Sequence, residues 1–194
     1  MNALIFLALQ TLKKPGEAAR SILLLNLSKE AIWTALFLII VLNAAFYTLM
    51  NLLFPLTAEL AFLKLSTGSY IAVSTGLTVL FALFLSLTGR WMGGEGRFQP
   101  LLILLIWLQA VQLVLQVAVV ALTLLTPLLG SLLGLGGNLL LLFVLLHFVS
   151  EAHGFASLWR TAAVVLLAMV LLFFALLFIV ALIGPATIGL PDHV

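Results

Sequence analysis

Five long stretches of apolar, uncharged residues dominate the sequence and constrain what it can fold into. They lie at about 31–53, 70–88, 101–126, 131–149 and 161–183. A helix needs about 20 apolar residues to cross the hydrocarbon core of a bilayer, and helices satisfy their own backbone groups in lipid. The sequence therefore predicts an all-α, polytopic membrane protein. Its fold is a bundle of five transmembrane helices in a single membrane domain over residues 1–194.

The composition excludes a water-soluble fold. Hydrophobic residues make up 65% of the chain and charged residues 7%, against about 25% charged in a typical soluble domain. Because so few polar side chains cannot cover a soluble protein of this length, lipid must solvate most of the surface. The chain has no cysteine, which excludes disulfides and thiolate metal sites. It has no basic stripe with interleaved aromatic residues, which argues against nucleic-acid binding.

The N-terminal segment, about residues 1–30, contains an apolar run that is too short to cross a membrane. This run ends at Leu9 and is followed by Lys13, Lys14 and an interrupting Pro15. A secretory signal carries its basic residues before the apolar run, so we interpret the segment as retained. We expect an amphipathic helix, or two, in the plane of the membrane interface, with lysines that reach headgroups. We favour this over a re-entrant hairpin.

The basic residues predict the orientation of the bundle. With five spans and a cytoplasmic N-terminus, the cytoplasmic side receives Lys13, Lys14, Arg20, Lys29, Arg90, Arg97 and Arg160. The opposite side receives Lys64. This distribution is the one that the positive-inside rule requires of short loops. We therefore expect a cytoplasmic N-terminus, a C-terminus on the other side, and contacts between these seven residues and the anionic lipids of the inner leaflet.

The stretch at 131–149 is the least regular of the five. Glycines crowd its start at positions 130, 134, 136 and 137, and Pro127 precedes it. These residues would either thin or kink the helix, or allow close packing through the spacing of Gly130 and Gly134. The sequence leaves these alternatives open.

Two of the predicted spans carry a face of polar side chains. They are Asn43, Tyr47 and Asn51 in the first span and Gln109, Gln112 and Gln116 in the third. The spacings, i, i+4, i+8 and i, i+3, i+7, place each set on one side of its helix. Amides are costly in lipid, so both faces should meet protein or a wet cavity. We favour interhelical hydrogen bonding; the alternative is a path for a polar solute.

His147 and Glu151 lie one helical turn apart at the end of the fourth span, with His153 close in sequence. Ligands at i and i+4 could begin a zinc site, but zinc needs at least one more. We favour an interfacial role, in which His147 and Glu151 bond to each other, to headgroups or to Arg160. We therefore expect no metal and no cofactor.

The glycine-rich segment Gly89–Arg97 is the charged island in the middle of the chain. It lacks the lysine and hydroxyl ending of a nucleotide-binding loop. We expect a tight loop whose arginines hold the inner leaflet, followed by a helix that is entered at Pro100.

Four features follow one another along the chain. They are the basic lead Lys13–Arg20, the five spans, the junction Gly93–Phe98 before the third span, and the His147/His153-Gly154 segment after the fourth. Together they resemble the Yip domain family of integral membrane proteins, in its short bacterial form. The resemblance implies a five-helix membrane bundle with a cytoplasmic N-terminus in a bacterial plasma membrane.

The eukaryotic members of that family are associated with Rab-type GTPases. Their signature Asp-Leu-Tyr-Gly-Pro before the first span is absent here, where the chain reads Leu25-Asn26-Leu27-Ser28. The resemblance therefore carries over no GTPase-binding residue, and membrane lipids, a second copy of the chain or other membrane proteins are the partners that we expect.

Two functional hypotheses follow. No span contains an aspartate, and no serine and histidine form a convincing dyad, so we expect a protein that is not an enzyme. The first hypothesis is a membrane scaffold that packs against other membrane components or shapes the bilayer. The alternative is a small-solute or ion transporter or channel that uses the glutamine face with Asn43 and Asn51.

Overall fold

The computed structural model describes residues 3–55, 57 and 64–183. Within these residues the chain forms seven helices and no strand. The helices are α1 (Ala3–Lys13), α2 (Pro15–Leu24), α3 (Lys29–Leu53), α4 (Thr67–Trp91), α5 (Phe98–Leu125), α6 (Pro127–His153) and α7 (Leu158–Ile183). The last five are long and apolar enough to cross a membrane, which confirms the all-α prediction with five spans. The C-terminal residues 184–194, for which the sequence predicts a side of the membrane, lie outside the described residues.

Local signals explain where the long helices begin and end. The hydroxyl of Ser28 caps α3 by accepting a hydrogen bond from the backbone N–H of Ala31 at 3.2 Å, and Ser66 caps α4 in the same way through Ser69 at 3.1 Å. Each bond satisfies an N–H group that lacks a partner within the first turn. α6 ends at Gly154, whose φ of 69° lies in the left-handed region that favours glycine.

The helices run past the apolar stretches of the sequence. α6 begins at Pro127, where proline suits the first turn because no N–H donor is needed there. α4 continues through Gly89 to Trp91, so the prediction of a loop from Gly89 onward is wrong for its first three residues. α5 begins at Phe98 rather than at Pro100, because proline is tolerated inside the first turn.

The five long helices form a bundle in which α4 packs against α3, α5 and α7. α5 and α6 make an antiparallel hairpin through Thr126. α6 is continuous despite its glycines, and three of them face α5. A Cβ atom on Gly130 would lie 2.7 Å from Thr123 Cα, and one on Gly137 would lie 2.5 Å from Leu115 Cδ2, whereas Gly136 has nothing within 4 Å. Of the alternatives left open by the sequence, close packing is the one that the structure shows.

We call the end of the bundle where α3, α5 and α7 begin the basal end, and the opposite end the distal end. The buried apolar side chains of the long helices concentrate toward the basal end. They are Ile32, Leu36, Ile39, Ile40 and Ala44 of α3, Ala82 and Leu85 of α4, residues 101–106 of α5, Leu141, Val144, Leu145, Phe148 and Val149 of α6, and Val164, Val165 and Ala168 of α7. In the distal halves of α5 and α6, Gly130 alone among the described residues is buried.

The two short helices add to the basal end. α2 packs against α6 and α5 and buries Ala18, Ala19 and Ile22. α1 packs against α2 and α6, and the indole Nε1 of Trp107 donates a hydrogen bond of 2.9 Å to the buried hydroxyl of Thr11. Within residues 3–55 and 64–183, the basal end therefore contains seven helices, against five at the distal end.

Candidate functional site

The basal end collects the positive charge of the chain. Its helix ends and short helices carry Lys13, Lys14, Arg20, Lys29, Arg90, Arg97 and Arg160, all of them exposed. Lys64 precedes α4 and therefore lies toward the distal end. Trp33, Trp91 and Trp159 are also exposed at the basal end, and tryptophan is typical of the headgroup level of a membrane.

A groove lies between the short helices and the basal end of α6, and we call it the rim groove. It is lined by Lys13, Lys14, Pro15, Gly16, Glu17, Arg20, Phe143, His147 and Glu151 and has a volume of about 380 Å³. Arg20 donates two hydrogen bonds to the Glu151 carboxylate, from Nε at 2.7 Å and from Nη2 at 2.8 Å. Lys14 donates to Glu17 at 2.8 Å. The groove thus combines ion pairs with one aromatic wall.

The ion pairs bias the protonation of two groups on α2. The hydrogen bonds to Glu151 raise the pKa of Arg20 above its ordinary value. The hydrogen bond from Lys14 lowers the pKa of Glu17 below its ordinary value. Both side chains are open to solvent, so these pairs position the start of α2 rather than supply much stability.

A second groove, of about 250 Å³, lies on the other side of α2. Its lining includes Asn26, Arg97, Gln99, Pro100 and the apolar residues Ile22, Leu23, Leu27, Ile32 and Ile103. It joins the end of α2 to the starts of α3 and α5.

His153 is enclosed by three glycines. Its Nδ1 atom accepts a hydrogen bond of 3.0 Å from the backbone N–H of Gly96. A Cβ on Gly89, Gly94 or Gly96 would lie within 2.6 Å of a ring nitrogen of His153. The ring of Phe155 stacks on the imidazole with a centroid distance of 5.2 Å. Nε2 is buried and has no hydrogen-bond partner among the described residues.

The three weak candidates for metal ligands serve separate contacts. His147 bonds through Nδ1 to the Phe143 carbonyl at 2.9 Å, Glu151 pairs with Arg20, and His153 lies in the glycine enclosure. No group of three or more potential ligands comes together in the described part of the chain. The donor set that zinc requires is therefore not assembled there.

The polar face of α3 bonds mostly to its own helix. The Nδ2 atoms of Asn43 and Asn51 donate to the carbonyls one turn earlier, at 2.9 Å each. Tyr47 stacks on Tyr70 of α4 with a centroid distance of 4.5 Å. Its hydroxyl also accepts from the backbone N–H of Leu65 at 3.0 Å. This face therefore fixes the connection between α3 and α4.

The glutamine face of α5 divides into two parts. Gln109 donates through Nε2 to the Thr78 hydroxyl of α4 at 2.8 Å, a direct interhelical bond. The side chains of Gln112 and Gln116 are half-buried and make no hydrogen bond within residues 3–55 and 64–183. On the helix surface they lie between the Thr78 contact and the α6-facing residue Leu115. They therefore lie toward the side of α5 that packs against α6.

Sequence reasoning missed the partners of His153, Arg20 and Trp107. Each partner is far away in the chain: 57 residues for His153 and Gly96, 131 for Arg20 and Glu151, and 96 for Trp107 and Thr11. The glycines at 89, 94 and 96 were the available signal, because glycine often marks a close approach.

A helical bundle with five membrane-length helices, a one-sided basic rim and an apolar surface defines a multi-pass integral membrane protein. A family model, the Yip1 domain, matches residues 9–180. The chain therefore belongs to the Yip1 domain family, as the resemblance in the sequence predicted. Comparison with curated proteins and with solved structures gave no match.

Proposed function

We propose that this protein is a non-enzymatic membrane scaffold that acts on the bilayer through its basal end. One observation carries the proposal: the two short helices, the buried core and the basic rim all occupy the same end. In the described part of the chain, seven helices meet at one end and five at the other, so the bundle should displace more lipid from one leaflet than from the other. Such a shape favours a curved bilayer.

The exposed surface of α1 supports this proposal. Leu4, Ile5, Phe6 and Leu9 are exposed by 68%, 53%, 54% and 45%. An apolar helix face next to basic residues inserts at the headgroup boundary with its apolar side toward the acyl chains. Because α1 and α2 are present at the basal end only, this insertion concerns a single leaflet. The positive-inside rule favours the cytoplasmic side for that leaflet, and the membrane that we propose is a bacterial plasma membrane.

The polar contacts inside the bundle also support a scaffold. Gln109 donates an amide hydrogen to Thr78 of α4, as expected for a side chain that holds helices together, and the amides of Asn43 and Asn51 are satisfied within α3. The packed hairpin of α5 and α6 and the connection between α3 and α4 present a stable apolar surface for other membrane components or for a second copy.

The test is reconstitution into vesicles of phosphatidylethanolamine and phosphatidylglycerol, with vesicle diameter measured by electron cryomicroscopy. The wild-type protein should lower the mean diameter in proportion to the protein-to-lipid ratio. The triple variant Leu4→Ala, Phe6→Ala and Leu9→Ala should lose most of this effect, because it removes apolar surface from the basal end only.

The matched control removes a similar apolar surface from the distal end, through Leu128→Ala, Leu132→Ala and Leu135→Ala, which are also exposed positions. It should keep the effect on vesicle diameter. Unchanged vesicles with the wild-type protein, or an equal loss in both triple variants, would reject bilayer shaping.

A second candidate function is transport of a small polar solute or ion, and one observation favours it. Gln112 and Gln116 place two amides without hydrogen-bond partners, among the described residues, on the side of α5 toward α6. Gln112→Leu should then abolish flux across liposomes while the protein stays folded. Liposomes with the wild-type protein that show no solute or ion leak would exclude this function.

A further inference from the structure

We infer that the rim groove binds one anionic phospholipid, with the phosphate at Lys13 and His147 and an acyl chain along Phe143. A scaffold needs no specific lipid, so a lipid-binding site goes beyond the proposed function. The lipid-binding proposal is also independent of whether the protein changes vesicle shape.

The charges in the groove favour a bound anion. Three cationic side chains face two carboxylates, and both carboxylates are engaged: Glu17 with Lys14 and Glu151 with Arg20. Lys13 has no ion pair within the described residues. Its ammonium therefore remains the donor that a phosphate oxygen would meet.

In its imidazolium form, His147 supplies a second donor. A carbonyl oxygen can only accept, so the bond of 2.9 Å to Phe143 fixes the proton on Nδ1 of the imidazole. Nε2 of the ring makes no hydrogen bond to the described residues. When the ring is protonated, Nε2–H donates to an anion in the groove, and the contact with Phe143 holds the ring in position for this.

The aromatic wall favours a lipid over a free phosphate. Phe143 lines the groove and is itself 45% exposed. α1, which packs against α6, carries the exposed apolar residues that precede Lys13. A soluble anion gains nothing from these surfaces, whereas an acyl chain buries them at about 25 cal/mol per Å² of apolar area.

The two ion pairs give the groove a fixed shape. The bidentate bond between Arg20 and Glu151 links α2 to α6, and Gly16 lies against the Glu151 side chain, where a Cβ would be 3.5 Å from Oε1. A site that is formed before the lipid arrives loses less affinity to the ordering of its own side chains. The lipid therefore meets a formed pocket rather than a mobile rim.

The experiment is native mass spectrometry of the full chain in a mild detergent, with equal amounts of phosphatidylglycerol and phosphatidylcholine that have the same acyl chains. The wild-type protein should retain phosphatidylglycerol preferentially, as one bound molecule. Lys13→Gln combined with His147→Gln should lower this preference by about fivefold or more, since a basic side chain near a lipid surface contributes about this factor.

Lys29→Gln is the matched control, because Lys29 is exposed at the basal end but does not line the groove. It should leave the preference unchanged. Helicity by circular dichroism and the thermal midpoint should be equal in all variants, and Lys13→Gln alone serves as the second variant if the double variant unfolds.

Three results would overturn the proposal. Equal retention of phosphatidylglycerol and phosphatidylcholine by the wild-type protein refutes an anionic headgroup site. An equal loss in Lys29→Gln would show a general effect of the rim charge. Displacement of phosphatidylglycerol by inorganic phosphate would show a site for a free anion. None of these results bears on vesicle diameter, so the scaffold proposal is tested separately.

Discussion

The backbone N–H of Gly96 donates a hydrogen bond of 3.0 Å to Nδ1 of His153, 57 residues away. The carbonyl of His153 in turn accepts from the N–H of Glu95 at 3.1 Å. Together the two bonds tie the end of α6 to the segment that opens α5. The imidazole fits there because three glycines leave the space that side chains would fill.

Adding a methyl group to this enclosure should destabilise the protein. Gly94→Ala places a Cβ 2.6 Å from Nδ1 of His153 and 2.7 Å from Phe155 Cζ, so the packed rings must move. We expect the free energy of unfolding to fall by about 1–3 kcal/mol, as in other overpacked cores, measured by denaturant titration in detergent micelles.

Gly136→Ala is the control, because a Cβ there has nothing within 4 Å. In an exposed helix interior alanine is favoured over glycine by about 0.5–1 kcal/mol, so this variant should be as stable as the wild type or more so. Equal destabilisation of both variants would contradict a specific enclosure of His153.

The glycine face of α6 gives a second prediction. Gly130→Ala brings a Cβ to 2.7 Å from Thr123 Cα, a backbone atom that cannot turn away. We expect this variant to separate the distal ends of α5 and α6 and to lower the free energy of unfolding by about 1–3 kcal/mol. Gly134→Ala, whose nearest neighbour is Val119 Cγ1 at 3.7 Å, should be tolerated. Unfolding titrations that rank the two variants in the opposite order would refute the packing of this hairpin.

The bond between Gln109 and Thr78 gives a third prediction. A double-mutant cycle with Gln109→Leu and Thr78→Val should yield a coupling free energy of about 0.6 kcal/mol, the average for such bonds in a membrane protein. The same cycle with Gln116→Leu and Thr78→Val should show additive effects, because Gln116 makes no bond to Thr78. Coupling that is equal in both cycles would remove the distinction between the two parts of the glutamine face.

The pair of Lys14 and Glu17 gives a fourth prediction, on pH. The pKa of Glu17 lies below its ordinary value of 4.5, so the carboxylate stabilises the start of α2 above that pH. This contribution is lost as the pH falls through the lowered pKa. A titration of Glu17 by NMR should show its pKa rise toward the ordinary value in Lys14→Gln. Lys13→Gln should leave it unchanged, and a pKa that is equal in the wild type and Lys14→Gln would contradict the pairing.

The helical class and the five spans could be predicted from the sequence because both depend on local features. A run such as residues 161–183 is long and apolar enough to be a membrane helix in any context. The predicted starts at 31 and 70 lie within three residues of the observed ones, because the caps at Ser28 and Ser66 act just before the apolar runs.

The contacts of the site could not be predicted, because they join distant parts of the chain. His147, Glu151 and His153 lie within seven residues of one another in the sequence, whereas the fold gives each a different partner. His153 turns inward because Gly154 ends the helix and the glycines of another segment leave room for the ring. Likewise, Gln109 and Gln112 look equivalent by spacing, and only the position of Thr78 distinguishes them.

Buried side chains are unevenly distributed along α5 and α6, so the stability of these helices depends on lipid more strongly in one leaflet than in the other. At the basal end, the interior is filled by packed side chains, so the fold of that region depends little on which apolar solvent surrounds it. Toward the distal end, the side chains of the same helices are exposed or half-buried, so we expect contacts with acyl chains to stabilise them in place of contacts within the protein. Extraction into a poor detergent should therefore expose the amides of residues 112–140 to hydrogen exchange well before those around Val144 and Leu101.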